Sequence, residues 1–316
     1  MMITEDVKPI HQRLQDDDAS VRRIAVLGLL DSDEDDISPL LITASQDPDA
    51  GVRVEAARLL EGYETPVAVR ALIAVLDDTD RDVAEAAAAS LAELKERAMA
   101  EPLLEALTRP VTPVTQAALL RALRELRAPD AFTPALAALQ SDSSAVRCAG
   151  VGVLGYLRNP VALPEIALIA ASDPDPEARR IAVGALGFAP DATSVSLTLI
   201  AALRDAFWQV REEAATTLGK LKATEATDKL VLAMADDYWQ VRVKATRSLG
   251  KLKARGALPA LIEALGHEIS NLRKEAAIAL GEVGDKGAIP ALEIAMQDTD
   301  PDVRKLAQLA LNKILK

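Results

Sequence analysis

Two stretches of this chain are near copies of each other, and they constrain the fold more than any other feature. Val210–Lys222 reads VREEAATTLGKLK and Val241–Lys253 reads VRVKATRSLGKLK. They start 31 residues apart, and each follows an aromatic pair and a glutamine: Phe207-Trp208-Gln209, then Tyr238-Trp239-Gln240. A fixed period of this length marks a repeat array, in which each position takes its meaning from its register. With the Val before Arg as the anchor, equivalent anchors fall at Val21, Val52, Val83, Thr115, Val146, Ala178, Val210, Val241, Leu272 and Val303, at spacings of 31 or 32.

The register predicts two helices per repeat. After each anchor, small or apolar residues stand at +4 and +5, an apolar residue at +8 and usually another at +11. In the ninth repeat these are Ala276, Ala277, Leu280 and Val283. That spacing is one face of a helix, here called helix B. A second apolar run, helix A, precedes each anchor, as in Ala257–Leu265 and Ala288–Met296. Pro259 and Pro290 fall in its first turn, where a missing N–H does no harm. Glycines follow or close helix B at Gly187, Gly219, Gly250, Gly281 and Gly284. They read either as helix terminators or as places where neighbouring helices approach closely.

A helix pair of this size cannot cover its own apolar faces, whereas stacked pairs can. The chain is 50% hydrophobic but only 3% aromatic, so the core must be built from Ala, Leu, Val and Ile, which favours helix. The expected fold is all-α: about ten two-helix repeats wound as a right-handed α-α superhelix. No linker or composition break interrupts it, so residues 1–316 read as one solenoid.

The pattern Asp298-Thr299-Asp300-Pro301-Asp302-Val303-Arg304, followed by Ala and Leu at helical spacing, resembles HEAT-like repeats of the phycobilisome-lyase type. The resemblance extends over nearly the whole chain. It bears on fold far more than on function, because such repeats serve unrelated partners.

Two register positions carry charge. Arg stands at +1 in eight repeats: Arg22, Arg53, Arg147, Arg179, Arg211, Arg242, Arg273 and Arg304. Asp stands at −5 in seven: Asp16, Asp47, Asp78, Asp173, Asp205, Asp236 and Asp298. The resemblance implies that these form a structural ladder tying one repeat to the next, in preference to an arginine-lined anion site. A second Asp at −3 (Asp18, Asp49, Asp80, Asp175 and Asp300) is placed to cap helix B. The fourth repeat has Pro110 and Gln116 at the ladder positions, and the third has Ala84 in place of Arg. Residues 80–128 are therefore expected to be the least regular part of the stack, and 178–316 the most regular.

Motifs for chemistry are weak. Gly150-Val151-Gly152-Val153-Leu154-Gly155 matches a dinucleotide-binding pattern but falls inside a helix B, without the strand and turn that pattern requires. The acidic run Asp31–Asp36 and the turn Asp298–Asp302 lack the Gly and Glu of a calcium loop. Two histidines, His11 and His267, leave no His-rich metal site; no cofactor is expected. His267 stands where the ladder expects Asp and reads as a ladder substitution. Cys148 reads as an inert thiol.

The strongest candidate site is an aromatic shelf. Four of the eight aromatic residues, Phe207, Trp208, Tyr238 and Trp239, occupy −3 and −2 in consecutive repeats. There Phe207, Tyr238 and, in the ninth repeat, Ile269 replace the capping Asp, at a typical cost of about 0.5–2 kcal/mol each. The choice is between inter-repeat packing and an exposed hot spot, since Trp and Tyr dominate binding energy. Residues 205–286 hold 13 Lys+Arg against 12 Asp+Glu in a chain of net charge −12. Lys244, Arg247 and Lys251 belong to that locally basic stretch, though Lys251 lies toward the far end of its helix from Trp239.

The expected function is a non-enzymatic scaffold that binds a partner protein on the concave face and aromatic edge of repeats 6–9. The resemblance supplies an alternative, a bilin-lyase-like or cofactor-assembly helper handling a tetrapyrrole or a metal cofactor. Nucleic acid comes third, because an acidic chain repels phosphates. The opening MMITEDVKPI predicts no secretion signal, no apolar run reaches membrane-spanning length, and a single cysteine suits a reducing compartment, so a cytoplasmic location is expected.

Overall fold

A computed structural model describes residues 10–31 and 36–316. The described residues form twenty α-helices and no strands, ten A–B pairs in register with the ten anchors. The chain divides into two compact units, residues 1–157 and 158–316, each holding five repeats.

Within each unit the B helices pack on the B helices of the next repeat, and each A helix packs on its own B. In the second unit the A helices are Leu163–Ser172, Ser196–Ala202, Thr227–Ala233, Leu258–Ala264 and Ile289–Ala295. The B helices are Pro176–Ala185, Trp208–Leu221, Trp239–Lys251, Ser270–Val283 and Pro301–Ile314. The core is aliphatic: Val210, Ala214, Ala215 and Leu218 are fully buried in the seventh repeat, and Val241, Ala245 and Leu249 in the eighth. Among the described residues no aromatic side chain is part of it, as the 3% aromatic content requires.

The register explains how each B helix begins. Asp18, Asp49, Asp80, Asp175 and Asp300 each accept a backbone N–H from the first turn of their helix. Phe207, Tyr238 and Ile269 occupy the same position and supply no side-chain cap.

The glycines split into two roles. Gly284 is in the left-handed region, at φ 71°, and ends the ninth B helix. Gly219, Gly250 and Gly281 instead lie inside B helices, where a Cβ would meet the next B helix. One built on Gly250 would lie 2.7 Å from Ala279 Cα, and one on Gly281 would lie 2.9 Å from Ala310 Cα. The close approach is tied by hydrogen bonds at the same register: Ser248 Oγ donates to Ala215 O at 2.7 Å, and Ser90 Oγ to Ala57 O at 2.9 Å. At the ends of the seventh and eighth B helices, Lys222 and Lys253 take the left-handed position that glycine usually fills, at φ 55° and 52°.

Candidate partner-binding surface

The surface is built on the Arg–Asp ladder. Arg22–Asp47, Arg53–Asp78, Arg179–Asp205, Arg211–Asp236 and Arg273–Asp298 share one geometry. Nε and Nη2 of the arginine each donate to one oxygen of the carboxylate, at 2.7–2.9 Å. Nη1 donates back to the carbonyl six residues earlier, at 2.8 Å for Arg211 to Asp205. The aspartate Oδ1 also accepts the backbone N–H two residues on, as Asp205 does from Phe207 at 2.9 Å. Each rung therefore fixes two successive inter-helix turns at once. Both side chains of each rung are only 10–13% exposed.

The electrostatics follow. Burial opposes ionisation of Asp205 and Asp236, but the guanidiniums of Arg179 and Arg211 and the bonded backbone N–H groups outweigh it. Both carboxyls are held below the usual range. The Arg273 bonds do the same for Asp298. The ladder arginines Arg147, Arg242 and Arg304 make the Nη1 bond to their own turn, at 2.9, 2.8 and 2.7 Å. Around Ala84 and Gln116 the rungs are absent and a different link appears. Asp77 Oδ1 accepts from the hydroxyls of Thr112 and Thr115, at 2.5 and 2.6 Å, and joins the third repeat to the fourth.

The aromatic residues sit on these rungs. Trp208 and Tyr238 stack, with ring centroids 5.4 Å apart and planes 14° from parallel. The Arg179 guanidinium lies 5.6 Å from the Phe207 ring centre and that of Arg211 5.7 Å from Tyr238, within cation–π range. Phe207, Tyr238 and Trp239 nevertheless remain 47%, 45% and 42% exposed. Both readings of the aromatic pairs therefore apply in part: Trp208 is packed by its neighbour, and the other three present ring area to solvent.

The basic residues do not all gather there. Lys244 pairs with Glu212 at 3.6 Å, and Arg247 with Glu275 through its Nε at 3.0 Å and its Nη2. Their charge is spent across the B–B faces. Lys251 is exposed at the opposite end of its helix from Trp239, about 18 Å away at 1.5 Å per residue. The surface at repeats 7 and 8 is thus an aromatic edge over the paired rungs Arg179–Asp205 and Arg211–Asp236.

Other motifs resolve structurally. Gly150, Gly152 and Gly155 lie within the helix Ser144–Leu157, and a Cβ on Gly150 would come within 2.8 Å of Ala135 O. Asp298 and Asp300 are held by Arg273 and Lys274. Most of the acidic run Asp31–Asp36 lies outside the described residues. Among the described residues, no group of three or more His, Cys, Asp or Glu is arranged to hold a metal. No helix there is long and apolar enough to cross a membrane. His267 lies at the ladder position and accepts the Ile269 N–H through Nδ1 at 3.0 Å, taking over the turn-bonding half of the aspartate's work.

The family model of HEAT repeats matches residues 7–92, 163–242 and 227–312. The match is to HEAT repeats at large and does not reach the narrower phycobilisome-lyase type. A comparison with curated protein sequences finds no match. Among solved structures, an engineered protein aligns over 97% of this chain and 98% of its own, at 21% identity and a TM-score of 0.57. YibA of Escherichia coli aligns over 96% and 99%, at 21% identity and 0.55. Kap95p, solved with RanGDP, aligns over 97% of this chain and 49% of its own, at 13% identity and 0.66. At these identities the likeness is one of fold.

Proposed function

Since the chain belongs to the HEAT-repeat family, we propose that it is a non-enzymatic scaffold that binds a partner protein on the B-helix face and aromatic edge of repeats 6–9. One observation carries the reading: Phe207 and Tyr238 stand exposed at positions where five other repeats place a capping Asp. Giving up a cap costs about 0.5–2 kcal/mol; the Trp208–Tyr238 stack and the arginine contacts return part of that to the fold, but the ring area left exposed returns nothing. A partner that covers Phe207, Tyr238 and Trp239 would offset that cost in the complex. The paired charges around them suit the rim of such a contact, where they order the surface and contribute little energy. Kap95p, with RanGDP in its solved complex, is an example of this fold used to hold another protein.

The test restores the caps. Phe207→Asp with Tyr238→Asp exchanges the ring contacts for two caps of similar worth, so it should leave the fold intact while abolishing capture of a partner that the wild-type protein retains from its native cells. Trp239→Ala should weaken the same capture without affecting folding. Undiminished capture by well-folded variants at all three positions removes the shelf from the account.

A further inference from the structure

The ladder has one rung whose arginine is in place and whose carboxylate is missing. Arg242 is seated like its siblings, with Nη1 donating to Asp236 O at 2.8 Å and to Asp237 O at 3.4 Å. Its Nε is buried and has no acceptor. In the five rungs described above that atom donates to the aspartate of the next repeat, and the equivalent residue here is His267. The His267 Nδ1 accepts from Ile269 N–H, so the neutral ring keeps its only proton on Nε2 and has no lone pair to offer Arg242. Asp236, which feels the Arg242 charge, already has both oxygens bonded to Arg211. A guanidinium N–H is thus withdrawn from water with nothing to receive it, an arrangement that is costly unless something fills it.

We propose that the Arg242 rung is a binding site for a carboxylate, filled by an Asp or Glu side chain of the partner. This rests on the partner-binding reading for its source, but not for its chemistry. The five sibling rungs show what the fork of Nε and Nη2 accepts at this register: two oxygens of one carboxylate, the planar bidentate match that arginine makes best. The site opens the same helix, Trp239–Lys251, whose N-cap position and first residue are the exposed Tyr238 and Trp239. An acidic residue beside an apolar one in the partner would engage both. The surrounding stretch, residues 205–286, carries 13 basic and 12 acidic residues in a chain of net charge −12, so an acidic segment meets its least repulsion here. His267 also lines an open cavity of about 650 Å³ with Glu268, Arg273 and Thr299. Its ring has space to move into as a carboxylate arrives.

The test uses the full chain with ¹⁵N-labelled arginine, reading the Arg242 Nε–H resonance, assigned by its loss in Arg242→Gln. Capped aspartate (N-acetyl-aspartate amide), capped asparagine and inorganic phosphate are titrated at constant ionic strength. The wild-type resonance should shift with capped aspartate at least tenfold more readily than with capped asparagine or phosphate. His267→Asp fills the rung from within, so it should raise the melting temperature and abolish the titration. Equal responses to aspartate and asparagine, or a titration that survives in His267→Asp, overturn the proposal. Equal response to phosphate overturns the carboxylate assignment. In partner capture the two readings separate. Loss on capping Phe207 and Tyr238 but not in His267→Asp keeps the shelf and sinks the rung, and the reverse pattern keeps the rung and sinks the shelf.

Discussion

Gly250→Ala offers the most direct check on the inter-repeat packing. An alanine in a helix interior is favoured over glycine by about 1 kcal/mol, so the substitution stabilises wherever the new methyl has room. At Gly250 it has none. The added Cβ would lie 2.7 Å from Ala279 Cα and 2.9 Å from Ala279 Cβ. Both obstructing atoms belong to the neighbouring B helix and cannot rotate away, so the two helices must separate by roughly 1 Å to reach ordinary contact. Overpacking of this kind costs about 1–3 kcal/mol, and an obstacle made of backbone puts it in the upper part of that range. Against the propensity gain, the net is a destabilisation of about 1–2 kcal/mol, or about 2–8 °C for a domain of this size. Gly256 is the internal control. It has a negative φ and no atom within 4 Å of its would-be Cβ, so Gly256→Ala should gain about 0.4–1 kcal/mol by restricting the unfolded chain. Thermal melts followed by circular dichroism give the sign, and amide exchange in Trp239–Lys251 and Ser270–Val283 gives the location. A Gly250→Ala protein that melts at or above the wild type refutes the packing argument.

Two further outcomes concern the ladder. Asp236→Asn removes the charge that Arg211 holds through two bonds. It should cost about 1–3 kcal/mol, between an exposed ion pair and a fully buried one, with urea midpoints as the measure. On acidification, Asp47, Asp78, Asp205, Asp236 and Asp298 all have carboxyls depressed by their arginines. The unfolded chain therefore binds more protons, and the ladder's contribution is complete above the ordinary aspartate range near ~3.9. Stability should fall as pH drops below about 4, and less steeply in Asp236→Asn. Glu213, raised mainly by burial, works in the opposite direction just above that window.

How much of this was legible in the sequence depends on whether a feature repeats. The helix pairs were, because burial acts on every copy and leaves the same apolar positions at each anchor. The caps were too, since Asp at −3 meets the same free N–H groups each time. What resisted reading was pairwise. Lys244 and Arg247 look like a basic patch along the chain, but Glu212 and Glu275 lie one repeat away in register and neutralise them. The glycine signal was ambiguous: Gly284 ends its helix, whereas Gly219 and Gly250 mark close approach and leave Lys222 and Lys253 to make the terminal turn. His267 was visible as a substitution, but its consequence falls on Arg242, 25 residues earlier. The Thr112 and Thr115 link to Asp77 follows no repeated pattern and left no signal.

The spacing of these bonds also bears on how the protein is made. Rungs join residues 25 or 26 apart, and the serine links join residues 33 apart. A growing polypeptide thus completes each clasp as soon as the following repeat has left the ribosome. Contacts this local favour rapid, stepwise assembly during synthesis. At any moment only the newest helix pair would have its oily side uncovered to the cell.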